Sequence, residues 1–162
     1  MIPLQFDFAV DRGAKKVHIK KEFAATLDQV WSAFTTQKLL DQWTAPLPFI
    51  AKTKHMNFEV GGNRFYAMIN PEGQAKWCIQ KYGAINPKSS FTMWNAFADE
   101  NEIPEQFGSD WEYRFGEKNG ITTVAITIFN ESFERMERVM EGFQQGFTMS
   151  LDNLEKLLTS NP

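Results

Sequence analysis

SFERMERVMEGFQQGFTMSLDNLEKLL, residues 132–158, is the stretch whose reading decides the fold. Its apolar residues Met136, Met140, Phe143, Phe147, Leu151, Leu154 and Leu158 are separated by steps of 4, 3, 4, 4, 3 and 4. Such steps keep them on one stripe of a helix with about 3.6 residues per turn. A long helix with one apolar face needs a surface to lie on. The chain from Phe49 to Phe129 reads as strands and turns, and an antiparallel sheet built from them supplies that surface. The expected class is α+β: a curved antiparallel sheet wrapped around a long C-terminal helix, with room for a ligand between them.

Upstream, Leu4, Phe6, Phe8 and Val10 alternate with polar or small residues, and Val17 and Ile19 lead a second alternating run to Phe23. Both have the period of 2 that marks a strand. Thr26 followed by Gln29 fits a capping box opening a helix at Leu27, whose apolar face is Leu27, Val30, Trp31 and Phe34. A second short helix runs from Gln37 to Trp43 and is stopped by Pro46 and Pro48. Strands are expected at 49–60, 64–70, 76–85, 91–98, 111–115 and 122–129. In the fifth of these, Trp111, Tyr113 and Phe115 share a face. Asn70-Pro71-Glu72-Gly73 and Lys118-Asn119-Gly120 are turn and hairpin signals. No repeat, low-complexity tract or linker interrupts the chain, so residues 1–162 read as a single domain.

Composition narrows the function. The 162 residues are 43% hydrophobic and 14% aromatic, with 15 Phe and 5 Trp, enough to fill a core or line a pocket. A formal net charge of −3 disfavours general binding to nucleic acid or anionic membrane, both of which need clustered positive charge. Cys78 is the one cysteine, which excludes an internal disulfide and fits a reducing compartment. The first residues, MIPLQFDFAVDRGAKK, carry acids and no long apolar core, unlike a secretory signal. No run of about 18 apolar residues appears, so no membrane span is expected. A cytoplasmic location is the resulting expectation. No HExxH, CxxC, phosphate loop or dinucleotide fingerprint is present, so no metal site, no cofactor and no catalytic residue is assigned.

Several spaced motifs carry a resemblance. They are Trp43-Thr-Ala-Pro46, Phe58-Glu-Val-Gly-Gly-Asn-Arg-Phe65, Pro71-Glu-Gly73, Gly83-x-Ile85-x-Pro87, Trp94 and Gly146-Phe147-x-x-x-Leu151-x-x-Leu154. Over about residues 15–158 the chain resembles the Hsp90-ATPase-activator-like branch of the START/pollen-allergen (SRPBCC) superfamily. The resemblance implies the helix-grip fold, with two short helices after the first strand. It also implies cytoplasmic proteins, often with a hydrophobic cavity. It implies no single activity, because the superfamily includes lipid carriers, hormone receptors, cyclases and chaperone cofactors. The final helix has Phe147 where the family's pair is Gly-Trp, which keeps the aromatic. Residues 1–14 and the loop 99–110 look peculiar to this chain, and ligand or partner choice is assigned to them.

The ligand expected is a small hydrophobic or amphipathic molecule held between sheet and helix. Trp43, Phe65, Trp77, Met93, Trp94, Trp111, Tyr113, Met140, Phe143 and Phe147 are the candidate lining, since Met adapts its shape and aromatic rings offer flat area. Trp94 and Phe147 lead because they occupy motif positions; core filling is the competing account for each residue. Arg64 and Asn95 are candidate orienters of a polar head group. Burial statistics nevertheless put an arginine outward, in water. Gly142, Gly146 and Ser150 recur every four residues. They either leave room for a ligand or let the helix pack closely on strand backbone, and close packing is the commoner use. His18 and His55 are expected at the surface, and Cys78 as a buried inert thiol. The acidic loop 99–110 reads as solvated; it lacks the ligand spacing of an EF-hand, and gating a pocket or touching a basic partner are its other uses. Two further functions remain open. One is a module that regulates a chaperone or another protein partner. The other is a cyclase- or hydrolase-type enzyme, for which Arg64, Tyr113 and His55 are the residues to test. Oligomeric state is not legible.

Overall fold

The computed structural model describes residues 4–160, so both ends of the expected 1–162 domain lie outside the described residues. Two strands, β1 (Phe6–Asp11) and β2 (Lys16–Phe23), come first, followed by two short helices, α1 (Leu27–Thr35) and α2 (Gln37–Trp43). Six strands follow: β3 (Ile50–Met56), β4 (Asn63–Ile69), β5 (Ala75–Asn86), β6 (Ser90–Ala98), β7 (Ser109–Lys118) and β8 (Ile121–Asn130). The long helix α3 (Phe133–Ser160) ends the described chain. All eight strands form one antiparallel sheet in the order β1-β2-β8-β7-β6-β5-β4-β3. From β3 to β8 the chain is a meander, and α1 and α2 carry it from β2 to the far edge. The sheet is curved and unclosed, and it grips α3 as a helix-grip fold does.

Local chemistry accounts for the element ends. Thr26 and Gln29 form the expected capping box: Gln29 N–H donates to Thr26 Oγ1 at 3.2 Å, and Thr26 N–H donates to Gln29 Oε1 at 2.9 Å. Asn119 and Gly120 have φ of 55° and 77°, the left-handed pair that a two-residue hairpin needs to match strand twist. That turn lets β7 run to Lys118, beyond the expected 111–115. Ser132 caps α3, its hydroxyl accepting from Arg135 N–H at 3.2 Å. The strand expected at 49–60 stops at Met56, because residues 57–62 fold into a tight turn. Gly62 is obligatory there, since a Cβ would sit 2.1 Å from the Asn57 carbonyl oxygen. The turn drops Phe58 against Tyr82 and Phe91, at ring-centroid distances of 4.8 and 5.3 Å.

Alternation sends one face of the sheet inward. Val17 and Ile19 of β2 meet Val124, Ile126 and Ile128 of β8 beneath Val30 and Phe34 of α1, all of them buried. Burying each such side chain contributes roughly 1.5–3 kcal/mol. Met136, Met140, Leu151 and Leu154 of α3 are buried against this core. Phe143 and Phe147, midway between them, are only half-buried. The helix is therefore seated at both ends and held off the sheet in the middle.

Candidate functional site: a cavity between sheet and helix

Beneath the middle of α3 lies a cavity of about 440 Å³. This falls within the range of small-molecule sites, on the order of 300–1,000 Å³. The sheet contributes Met93, Trp111 and Tyr113 to its wall, α2 contributes Trp43, and α3 contributes Met140, Phe143 and Phe147. Trp111 anchors the apolar part. It meets Phe143 edge-on at 5.7 Å and Phe147 at 5.5 Å, while Phe143 and Phe147 stack at 5.3 Å. Its indole N–H donates to Ser109 Oγ at 2.8 Å, and that of Trp43 donates to the Ala33 carbonyl at 2.8 Å, so both rings are fixed.

Gly142 and Gly146 also line the cavity. The expected close packing of helix on strand backbone does not occur at either. A Cβ at 142 would meet nothing within 4 Å, and one at 146 would meet only Pro46, at 3.5 Å. Ser150 is buried; its single hydroxyl proton is shared between the carbonyls of Thr44 at 3.2 Å and Gly146 at 3.1 Å, tying α3 to the end of α2.

A polar row crosses the inner face. Strand register places Arg64 opposite Gln80, Gln80 opposite Asn95, Asn95 opposite Ser109, and Ser109 opposite Asn130, and all five line the cavity. Gln80 donates to Asn95 Oδ1 at 3.3 Å. Arg64 does not face water as burial statistics suggest: it is 0% exposed. Partners make this possible. Its Nη2 donates to Asp41 Oδ1 at 3.0 Å and Thr44 Oγ1 at 3.3 Å, its Nε donates to Thr53 Oγ1 at 3.0 Å, and its guanidinium lies 3.8 Å from the Tyr66 ring centroid. Thr53 hydroxyl and Thr53 N–H both donate to Asp41, completing the network.

Three expected lining residues stand elsewhere. Phe65, Trp77 and Trp94 occupy the opposite, outer face of the sheet. Phe65 and Trp77 stack there at 4.7 Å, and Trp94 indole N–H donates to Glu131 Oε1 at 3.0 Å. The reason is the strand period of 2. Trp94 lies between Met93 and Asn95, and Phe65 follows Arg64, so these neighbours cannot share a face. Conversely, Arg135, Gln80 and Asn130 line the cavity and were not singled out in the sequence. Cross-strand register is the signal that would find the last two, once Arg64 or Asn95 is known to point inward.

The remaining titratable groups separate by burial. Burial pushes the Cys78 thiol up to about 11 and the Tyr82 hydroxyl up to about 12, and raises Tyr113 and Tyr66 well above the usual tyrosine value. All four line the cavity and keep their protons at neutral pH. His18 and His55 are exposed. His55 Nε2 stands 2.7 Å from Glu102 of the loop 99–110, and Glu105 of the same loop lies 3.6 Å from Arg135 Nε, so the loop is tied down at two points. Among the described residues no cluster of three His, Cys, Asp or Glu could hold a metal ion, and no helix is long and apolar enough to cross a membrane.

The geometry has close counterparts. Protein Ms6760 from Mycobacterium smegmatis superposes with a TM-score of 0.88 at 25% identity, covering 99% of this chain and 100% of that one. A protein from Arthrobacter aurescens gives 0.90 at 23% identity, covering 95% of this chain and 91% of its own. The AHSA1 protein from Silicibacter pomeroyi gives 0.73 at 19% identity over 91% and 99% of the two chains. No curated protein matches. The family model described as activator of Hsp90 ATPase homolog 1-like protein matches residues 24–159. With that match spanning most of its length, the chain belongs to the activator of Hsp90 ATPase homolog 1-like family.

Proposed function

We propose that the protein binds a small hydrophobic or amphipathic molecule in the cavity between the sheet and α3. The observation that carries this reading is the pair Gly142 and Gly146. Glycine inside a helix costs roughly 1 kcal/mol relative to alanine, and no close contact repays that cost, because a Cβ at either position would be accommodated. Gly146, half-buried beside Pro46, and Gly142, exposed at the cavity's rim, leave the space beside Phe143 and Phe147 open. Burial of an apolar ligand against Trp111, Phe143 and Phe147 would drive affinity at roughly 25 cal/mol per Å² of apolar surface.

Native mass spectrometry before and after exposure to a lipid and metabolite extract tests the reading. A discrete adduct that is lost on denaturation supports it and gives the ligand's mass. A clean unliganded mass in both samples counts against it and favours a protein partner, the role that the family's description attaches to Hsp90-type ATPases. That alternative would engage the outer face and the loop 99–110 and leave the cavity incidental.

A further inference from the structure

We infer that the ligand of this cavity is an anion: an apolar body carrying one compact acidic group, carboxylate, sulfonate or phosphate, held between Arg64 and Arg135. The inference rests on the cavity being a binding site. Both arginines line it, and both are more than nine-tenths buried. Each keeps one buried N–H group, Arg64 Nη1 and Arg135 Nε, with no hydrogen-bond acceptor among the described residues. A buried donor on a charged group is costly to leave unmet. Yet Arg64 satisfies its other groups fully, through Asp41, Thr44 and Thr53. For Arg135 the nearby carboxylate oxygen of Glu105 stands 3.6 Å from Nε, beyond hydrogen-bond reach.

Charge points the same way. Arg138, three residues beyond Arg135 on α3, also lines the cavity, and no Asp or Glu does so among the described residues. The two carboxylates that face these arginines, Asp41 and Glu105, lie outside the wall. A neutral carbonyl would satisfy a donor, whereas an anion makes the stronger charge-assisted bond and also answers Arg138, which forms no ion pair among the described residues. Gln80, Asn95 and Asn130 add amide donors along the same row. The row runs across the sheet from Arg64 on β4 to Asn130 on β8, and the apolar body lies under Phe143 and Phe147.

Two fluorescent probes with one ring body test this. N-phenyl-1-naphthylamine is neutral, and 8-anilino-1-naphthalenesulfonate adds a sulfonate. The sulfonate should bind the wild-type protein about tenfold tighter or more at low salt. In Arg135→Gln that gap should shrink to about threefold or less, with the neutral probe's affinity unchanged. Arg64→Gln should act likewise; if it fails to fold, the wild-type comparison and Arg135→Gln still decide. Equal affinities of the two probes for the wild type, or an equal loss of both in Arg135→Gln, would overturn the anion inference and leave the cavity standing. Failure of both probes to bind would overturn the cavity reading along with it.

Discussion

Replacing Gly142 or Gly146 by alanine should make this protein more stable, and the size of the gain follows from the structure. Alanine is favoured over glycine in a helix interior by about 1 kcal/mol. That gain is realised only where the added methyl fits. At 142 it meets nothing within 4 Å, and at 146 it reaches ordinary contact with Pro46 at 3.5 Å. Each substitution should therefore add about 0.5–1 kcal/mol, and the pair about 1–2 kcal/mol. In a domain of this size that corresponds to a rise in Tm of roughly 2–8 °C for the double variant. Urea melts should show the midpoint moving with the slope unchanged. Destabilisation by either alanine would refute the reasoning, since it would mean that the glycines serve close backbone packing.

Phe147→Trp should lower probe affinity roughly tenfold, about 1.4 kcal/mol, by enlarging a ring already 5.5 Å from Trp111, and circular dichroism should report an intact fold. Arg64→Met should cost about 2–4 kcal/mol in urea unfolding, because it strands the Asp41 carboxylate; partial exposure of Asp41 keeps the loss below that of a fully buried pair. Stability should also fall at alkaline pH. Burial raises Cys78 from 9.0 to about 11 and Tyr82 from 10.0 to about 12, so the folded state holds protons that the unfolded chain releases. The contribution is fully present below about pH 9 and is lost as pH rises toward 11 and 12, at up to about 1.4 kcal/mol per pH unit for each group. Unfolding free energies measured at intervals from pH 7 to 10.5 check the onset, and Cys78→Ala should delay it.

Features set by neighbours in sequence were legible in advance. The capping box at Thr26, the Asn119-Gly120 hairpin and the stripe from Met136 to Leu158 are local, and each stands as read. Strand facing was legible in part. Clean alternation in 111–115 assigned Trp111 and Tyr113 to one side, but Met93, Trp94 and Asn95 were all placed inward, which a period of 2 forbids. Motif membership outweighed geometry for Trp94, whose indole is tied to Glu131 on the outer face. Arg64 is a candidate orienter whose inward position the sequence leaves undecided between cavity and water. Its burial depends on Asp41, 23 residues away, and on Thr53, 11 residues away, contacts that exist only once α2, β3 and β4 are assembled. Arg135 sits on a helix whose sequence marks only its apolar stripe, so its place in the cavity wall follows from tertiary packing.

The most direct test of the central claim uses the five tryptophans as reporters. Trp43 and Trp111 line the cavity, Trp77 and Trp94 lie on the outer face, and Trp31 packs in the core beside Phe58 and Phe115. Each carries one indole N–H, resolvable in a nitrogen-15 correlation spectrum of the labelled protein. Titration with N-phenyl-1-naphthylamine should shift the Trp111 and Trp43 indole signals and leave those of Trp77 and Trp94 in place. Shifts confined to Trp77 and Trp94 would put the binding surface on the outer face and contradict the account.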